Sequence, residues 1–346
     1  MSDVIYHLQA KHTRNSPVFV VGFPRSGTDL TCKLLRRYLK VSFGTESEFV
    51  IRYLRRLHQF GDLNDEVNVR RLIYEIGTER FFVQSRHNWG FEFDVDKAIR
   101  TLASPTYAGV LHSIFGQLAE HNGMARWGDR TTYSSDLHQV RRLFPDAQFI
   151  HVVRDGENVS LSIRSESSRA RNACETADDW NRTLESIHAF SRDLPRDQYF
   201  EVRYEDLTGQ TSDAVGALGD FLGIDDGDRA LRDYVSSHIG AEIKSGNSAK
   251  WCQSLTPRDV ERFEGVAGDM LVHFGYHLAY QGQARPVSAL ERRFWQLRGR
   301  TDRWLMRRYW RDNFYKLKVR VRSIVRPGTF GRATTGRTST VVTTRT

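Results

Sequence analysis

Residues 18–28 read Val-Phe-Val-Val-Gly-Phe-Pro-Arg-Ser-Gly-Thr, an apolar run that breaks into a glycine-bounded loop, and helix-compatible sequence follows from Leu30 to Leu39. A strand that turns through such a loop into a helix makes an oxyanion cradle. The first-turn N–H groups have no partner within the helix, and the helix dipole is positive at that end. The loop departs from the nucleotide pattern G-x-x-x-x-G-K-[ST], because Thr28 stands where Lys is required and the cation lies inside the loop as Arg25. The corner therefore suits a phosphate-like group held without the usual lysine and Mg²⁺.

Further apolar runs bounded by turn residues predict strands at 41–43, 147–153 and 199–202. Helix-compatible stretches lie at 28–40, 47–58, 96–120, 134–143, 157–166, 177–192, 212–222 and 256–274. Strands alternating with helical patterns predict an α/β fold with a parallel sheet covered on both faces. The mostly helical interval before Ala147 is expected to form a substrate-side lobe.

Charge divides the chain. The total is +9, but residues 284–346 hold 17 Lys and Arg against 3 Asp and Glu, a net of +14. Residues 1–283 keep 34 basic and 39 acidic residues, a net of −5, so the high pI gives no ground for reading the whole chain as a nucleic-acid binder. The expected division is a catalytic domain over 1–283, a basic, aromatic-rich helical extension over 284–330 interrupted at Gly299, and a disordered tail over 331–346. No window offers 18 uninterrupted apolar residues, and Met1–Ser16 lacks the apolar core of a secretory signal. Cys32, Cys174 and Cys252 are too scattered for a disulfide framework or a zinc site. A reducing cytoplasm is the expected setting.

A second cluster reads His151-Val-Val-Arg154-Asp-Gly-Glu-Asn-Val-Ser160-Leu-Ser162. Another apolar run ends there in a charged turn and starts a helix. Arg154 falls at the carboxyl end of its strand, where open α/β sheets bind ligands, and Ser162 follows two helical turns on. Taken alone, Arg followed by Asp at a strand end also fits a structural ion pair. Together with the loop, the chain resembles the sulfotransferases that use 3′-phosphoadenosine 5′-phosphosulfate (PAPS), bacterial in type and closest to the Glu-base branch of carbohydrate and tyrosyl-protein sulfotransferases. Gly22-Phe23-Pro24-Arg25-Ser26-Gly27-Thr28 resembles that family's 5′-phosphosulfate loop, and Arg154 with Ser162 resembles its 3′-phosphate pair. Trp127-Gly-Asp-Arg130-Thr, Phe144-Pro145, Arg203-Tyr204-Glu-Asp-Leu207, Lys244-Ser-Gly246, Trp251 and Phe274-Gly-Tyr276 stand in the family's order, so the resemblance spans roughly residues 16–280.

The resemblance implies a P-loop-NTPase-like central sheet flanked by helices, PAPS as donor, 3′,5′-ADP (PAP) as product, and metal-independent transfer to a hydroxyl. Phe23, Pro24, Arg25, Ser26, Gly27, Thr28 and Asp29 would surround the 5′-phosphosulfate. Arg25 would reach the 5′-phosphate or bridging oxygen, and Arg130 would be a second cation at the leaving group or a surface residue paired to Asp129. Arg154, Ser162, Lys244 and Gly246 would hold the 3′-phosphate. Tyr204 either joins that pocket or, with Glu205, braces the sheet edge. Glu46 is the expected general base with Glu48 in reserve, unless one of these carboxylates only caps the helix starting near Ser47. His112, His121 and His151 are read as packing or hydrogen-bonding residues. Asp29 departs from the family's hydroxyl residue; it must turn away, pair with Arg25, or lower donor affinity.

Two rivals stand beside this reading: a kinase built on the same kind of loop, and a non-catalytic membrane-associated protein with a decayed site. The basic extension can pack on the acidic body or on a second copy, lie on an anionic membrane through 284–330, or bind nucleic acid. The acceptor, whether glycan, glycolipid, phenol or peptide tyrosine, has no readable code in the helical lobe.

Overall fold

The computed structural model describes residues 11–12, 15–131, 133–165, 172–225, 228–238, 243 and 250–305. In chain order, β1 (Lys11–His12) and β2 (Val18–Val21) precede α1 (Thr28–Leu39), β3 (Val41–Phe43), α2 (Phe49–Arg56), α3 (Glu66–Gly77) and α4 (Arg80–Trp89). Next come α5 (Val95–Arg100), α6 (Tyr107–His121), β4 (Arg126–Arg130), α7 (Leu137–Leu143), β5 (Gln148–Val153), α8 (Gly156–Ser165) and α9 (Ala173–Ser191). The remainder is β6 (Tyr199–Arg203), α10 (Tyr204–Gly209), α11 (Thr211–Leu222), β7 (Ile224–Asp225), α12 (Asp228–His238), α13 (Trp251–Ser254), α14 (Pro257–His273) and α15 (Ala289–Leu305).

Five strands form a parallel sheet in the order β3-β4-β2-β5-β6, with β2 at its centre, while β1 and β7 pair antiparallel apart from it. Alternation along β2 explains its central place. Phe19 and Val21 face a core shared with α2–α6, and Val18 and Val20 face one shared with α1 and α11. Strand and helix boundaries are set locally. Thr106, Asn172 and Thr256 accept backbone N–H bonds as N-caps of α6, α9 and α14, and Pro257 opens α14 where its missing N–H costs nothing. Val21 of β2 lies beside His151 of β5, so the loops leaving these two strands emerge side by side. That placement brings the two sequence clusters together.

Two expectations are corrected, and one strand lies where the sequence predicts none. The 96–120 stretch is two helices, because Pro105 forces its predecessor out of the helical region and Thr106 then caps α6. The strand β4, Arg-Trp-Gly-Asp-Arg, has no apolar period at all. Its Arg126 is fully buried and donates to the carbonyls of Ser16 and Leu222 and to the Gln148 amide oxygen. The helix over 289–305 runs unbroken through Gly299, which is buried where a Cβ would overlap Glu175 at the start of α9. The extension beyond residue 305 and the tail at 331–346 lie outside the described residues.

Candidate active site

The loop between β2 and α1 depends on two glycines. A Cβ on Gly22 would stand 2.6 Å from the Val152 carbonyl, and one on Gly27, at φ 103°, would overlap the Tyr204 ring. Arg25 itself takes a positive φ of 72°, a conformation that costs a non-glycine residue and that clusters at functional sites. Gly27 caps α1 without any side-chain bond, so the first-turn N–H groups have no side-chain acceptor from the cap. Beside them the Ser26 hydroxyl is buried and, among the described residues, has no hydrogen-bond partner.

The second corner touches the first. Arg25 Nε donates to Ser162 Oγ at 3.0 Å, and Arg154 Nη1 donates to the Arg25 carbonyl at 3.0 Å. The Arg154 guanidinium lies 4.1 Å over the Tyr204 ring, the same ring that abuts Gly27. Asp155 caps α8 by accepting from the Glu157 and Asn158 N–H groups, and its other oxygen accepts from Trp251 Nε1 at 3.0 Å. Glu205 accepts from the Asp155 N–H and from the Tyr276 hydroxyl. Glu205 is thus a brace between β5, α10 and the segment after α14, whereas Tyr204 lies under the arginine. Lys244 and Gly246 fall outside the described residues.

The third group follows β4 and β3. Arg130 does not pair with Asp129. Its Nη1 meets Asp29 at 3.0 Å and its Nη2 meets Glu46 at 3.6 Å, while Asp29 also takes Lys33 at 2.9 Å. The Asp29–Lys33 pair has the i,i+4 spacing of neighbours on one helix face. Glu48 lies elsewhere: at the N-cap position of α2, it adds to the negative charge around buried Glu79. The three histidines do bond or pack, His112 with Trp127, His121 with the Trp89 carbonyl and His151 with Tyr199 and Glu201.

Behind Arg130 sits a buried group that sequence reading missed. Asp129 is buried and accepts from the Tyr133 hydroxyl at 2.9 Å, and that hydroxyl lies 3.4 Å from Ser47, next to Glu46. Burial pushes the Asp129 carboxyl up to about 6, against bonds from Ser47 and Tyr133 that pull it down. A carboxyl raised in the fold stabilises most below its unfolded value and loses that contribution as pH rises through about 6. Relative to wild type, Asp129→Asn should therefore gain stability between pH 4 and 7, by up to about 3 kcal/mol. Urea midpoints across that range measure the difference, and parallel curves would refute it.

These residues fit a nucleotide bearing phosphates at both ends: an uncapped helix start and an unpartnered buried hydroxyl in one corner, arginines in both. Among the described residues, no group of three or more His, Cys, Asp and Glu is arranged to hold a metal ion.

Residues 17–228, more than half of the chain, match the sulfotransferase family, so the chain belongs to it. That family comprises transferases that draw their sulfuryl group from PAPS. Protein-tyrosine sulfotransferase 2 of Gallus gallus is 24% identical over 236 residues, 65% of this chain and 56% of that protein. The chain thus spans little more than half the length of this relative. Among solved structures, the sulfotransferase domain from the curacin biosynthetic pathway superposes with a TM-score of 0.50 at 17% identity, covering 77% of this chain and 99% of that domain. A Mycobacterium avium sulfotransferase gives a TM-score of 0.42 at 13% identity, covering 79% and 80%. The likeness to the curacin domain shows a shared fold.

Proposed function

We propose that this chain transfers a sulfuryl group from PAPS to a hydroxyl acceptor by in-line displacement. The observation that carries the reading is the direct contact of the two anion corners, through Arg25 to Ser162 and Arg154 to the Arg25 carbonyl. When bound, PAPS supplies an activated sulfuryl group on a phosphate leaving group. Arg25, Ser26, Gly27, Thr28 and the start of α1 would hold its 5′ end, with Phe23 and Pro24 shaping the loop, and Arg154 and Ser162 its 3′-phosphate, over Tyr204. Glu46 would take the acceptor's proton. Arg130, between Glu46 and Asp29, would balance charge on the leaving side; removing one such preorganised donor typically costs about 3–4 kcal/mol. A sulfuryl group carries less charge than a phosphoryl group, so cations and helix N–H groups suffice without a metal.

Asp29 is occupied by Arg130 and Lys33. It competes with the donor for Arg130, a cost in affinity and not a block on the site. Cys32, Cys174 and Cys252 are free thiols, which supports a reducing compartment. Glycans, glycolipids and, by the name of the chicken relative, peptide tyrosines are the acceptor classes to assay with labelled donor.

The test is ligand-induced stabilisation. At about one hundred times its Kd, 3′,5′-ADP should stabilise the fold by about 2.7 kcal/mol, and Mg-ATP at the same concentration should leave the melting temperature unmoved. An equal shift with Mg-ATP would instead favour a kinase.

A further inference from the structure

Helix α15 turns its polar side to the protein and its apolar side away. On the inner side, Arg292 Nη1 and Gln296 Nε2 donate to Asp178 at 3.2 and 3.3 Å, and Asn172 donates to the Trp295 carbonyl at 2.9 Å. Arg262 lies 4.5 Å over the Trp295 ring. On the outer side, Leu290, Phe294 and Leu297 are 79%, 55% and 61% exposed. Their spacing of four and then three residues sets them in one stripe, flanked by exposed Arg293, Arg298 and Arg300.

We propose that this face of α15 docks on an anionic lipid surface, with Leu290, Phe294 and Leu297 entering the acyl boundary and the arginines meeting the headgroups. A helix of this kind gains from buried apolar area and from attraction to anionic lipid, and arginine stems can lie along the apolar layer while their heads stay in water. Residues 301–326 continue the charge, with nine basic residues against two acidic ones. The acidic body does not explain the stripe, because the acidic partner Asp178 is taken on the inner face. Nucleic acid offers phosphates but no apolar phase for three adjacent large side chains. A second copy packed through the same face would bring like arginines together.

The full chain should co-sediment with vesicles of phosphatidylcholine and phosphatidylserine at least about tenfold more than with phosphatidylcholine alone, and less as salt rises. Combining Leu290→Glu, Phe294→Glu and Leu297→Glu should remove most of that binding with the melting temperature kept. Should that triple variant fail to fold, Arg293→Glu with Arg300→Glu decides, and should weaken binding about tenfold. Equal sedimentation with both vesicles, or full binding by both variants, overturns the proposal. So does a dimer that the triple variant converts to monomer while vesicle binding stays unchanged, which would assign the face to a second copy.

Discussion

Glu46→Gln is expected to lower kcat by about 10²–10⁴-fold while leaving 3′,5′-ADP affinity within about twofold. The loss is that of a general base, since glutamine keeps the shape and cannot accept the proton. Binding survives because Arg130 keeps a second carboxylate, Asp29, at 3.0 Å, so the cation does not swing away when Glu46 is neutralised. Glu48→Gln serves as the internal comparison. That carboxylate stands at the N-cap position of α2 and adds to the negative charge around Glu79, so its variant should retain activity within about threefold. If Glu48→Gln collapses and Glu46→Gln does not, the base has been assigned to the wrong residue. If neither changes kcat, no carboxylate of this segment removes the proton.

The parts of this fold that were legible are those in which local chemistry and burial agree. Val18–Val21, the glycine-bounded loop and α1 stand where the sequence places them, because apolar run, turn residues and helical spacing all point the same way. The positions of Arg154, just past an all-buried β5, and of Ser162, inside α8, were legible for the same reason. By contrast, β4 is illegible to any hydropathy period. It buries Arg126 and Asp129 beside Trp127, and their cost is met by partners scattered along the chain, Ser16, Gln148, Leu222 and Tyr133. The Asp129–Tyr133 group was missed on the same account, since Asp beside Arg reads as a solvent-exposed pair until the strand is known to be internal. Gly299 predicts a break in an isolated helix, yet here the missing side chain lets α15 close on Glu175. In each case a non-local contact overrides the local signal, and a single sequence carries no direct trace of it.

Arg154→Ala should weaken 3′,5′-ADP by about 10–100-fold, the worth of one charge-assisted phosphate contact. The harder question is why it weakens. Two jobs are open to Arg154: the proposed hold on the 3′-phosphate, and the bond from its Nη1 to the Arg25 carbonyl at 3.0 Å, in a loop where Arg25 sits at positive φ. 5′-AMP separates them, because it engages the loop but lacks the 3′-phosphate. If Arg154 reads that phosphate, the variant erases the preference for 3′,5′-ADP and leaves 5′-AMP affinity within about threefold. If it only braces the loop, both nucleotides weaken together. Arg154→Lys keeps the charge but not the planar stack 4.1 Å over Tyr204, so it should fall between wild type and alanine. Tyr204→Phe should match wild type, since the ring face rather than the hydroxyl meets the guanidinium. Tyr204→Leu should lose a further factor of about 2–30, the range of a cation–π contact from exposed to desolvated. A Tyr204→Leu variant with unaltered affinity would mean that the ring serves Gly27 and the loop alone, and that the arginine needs no platform to hold the nucleotide.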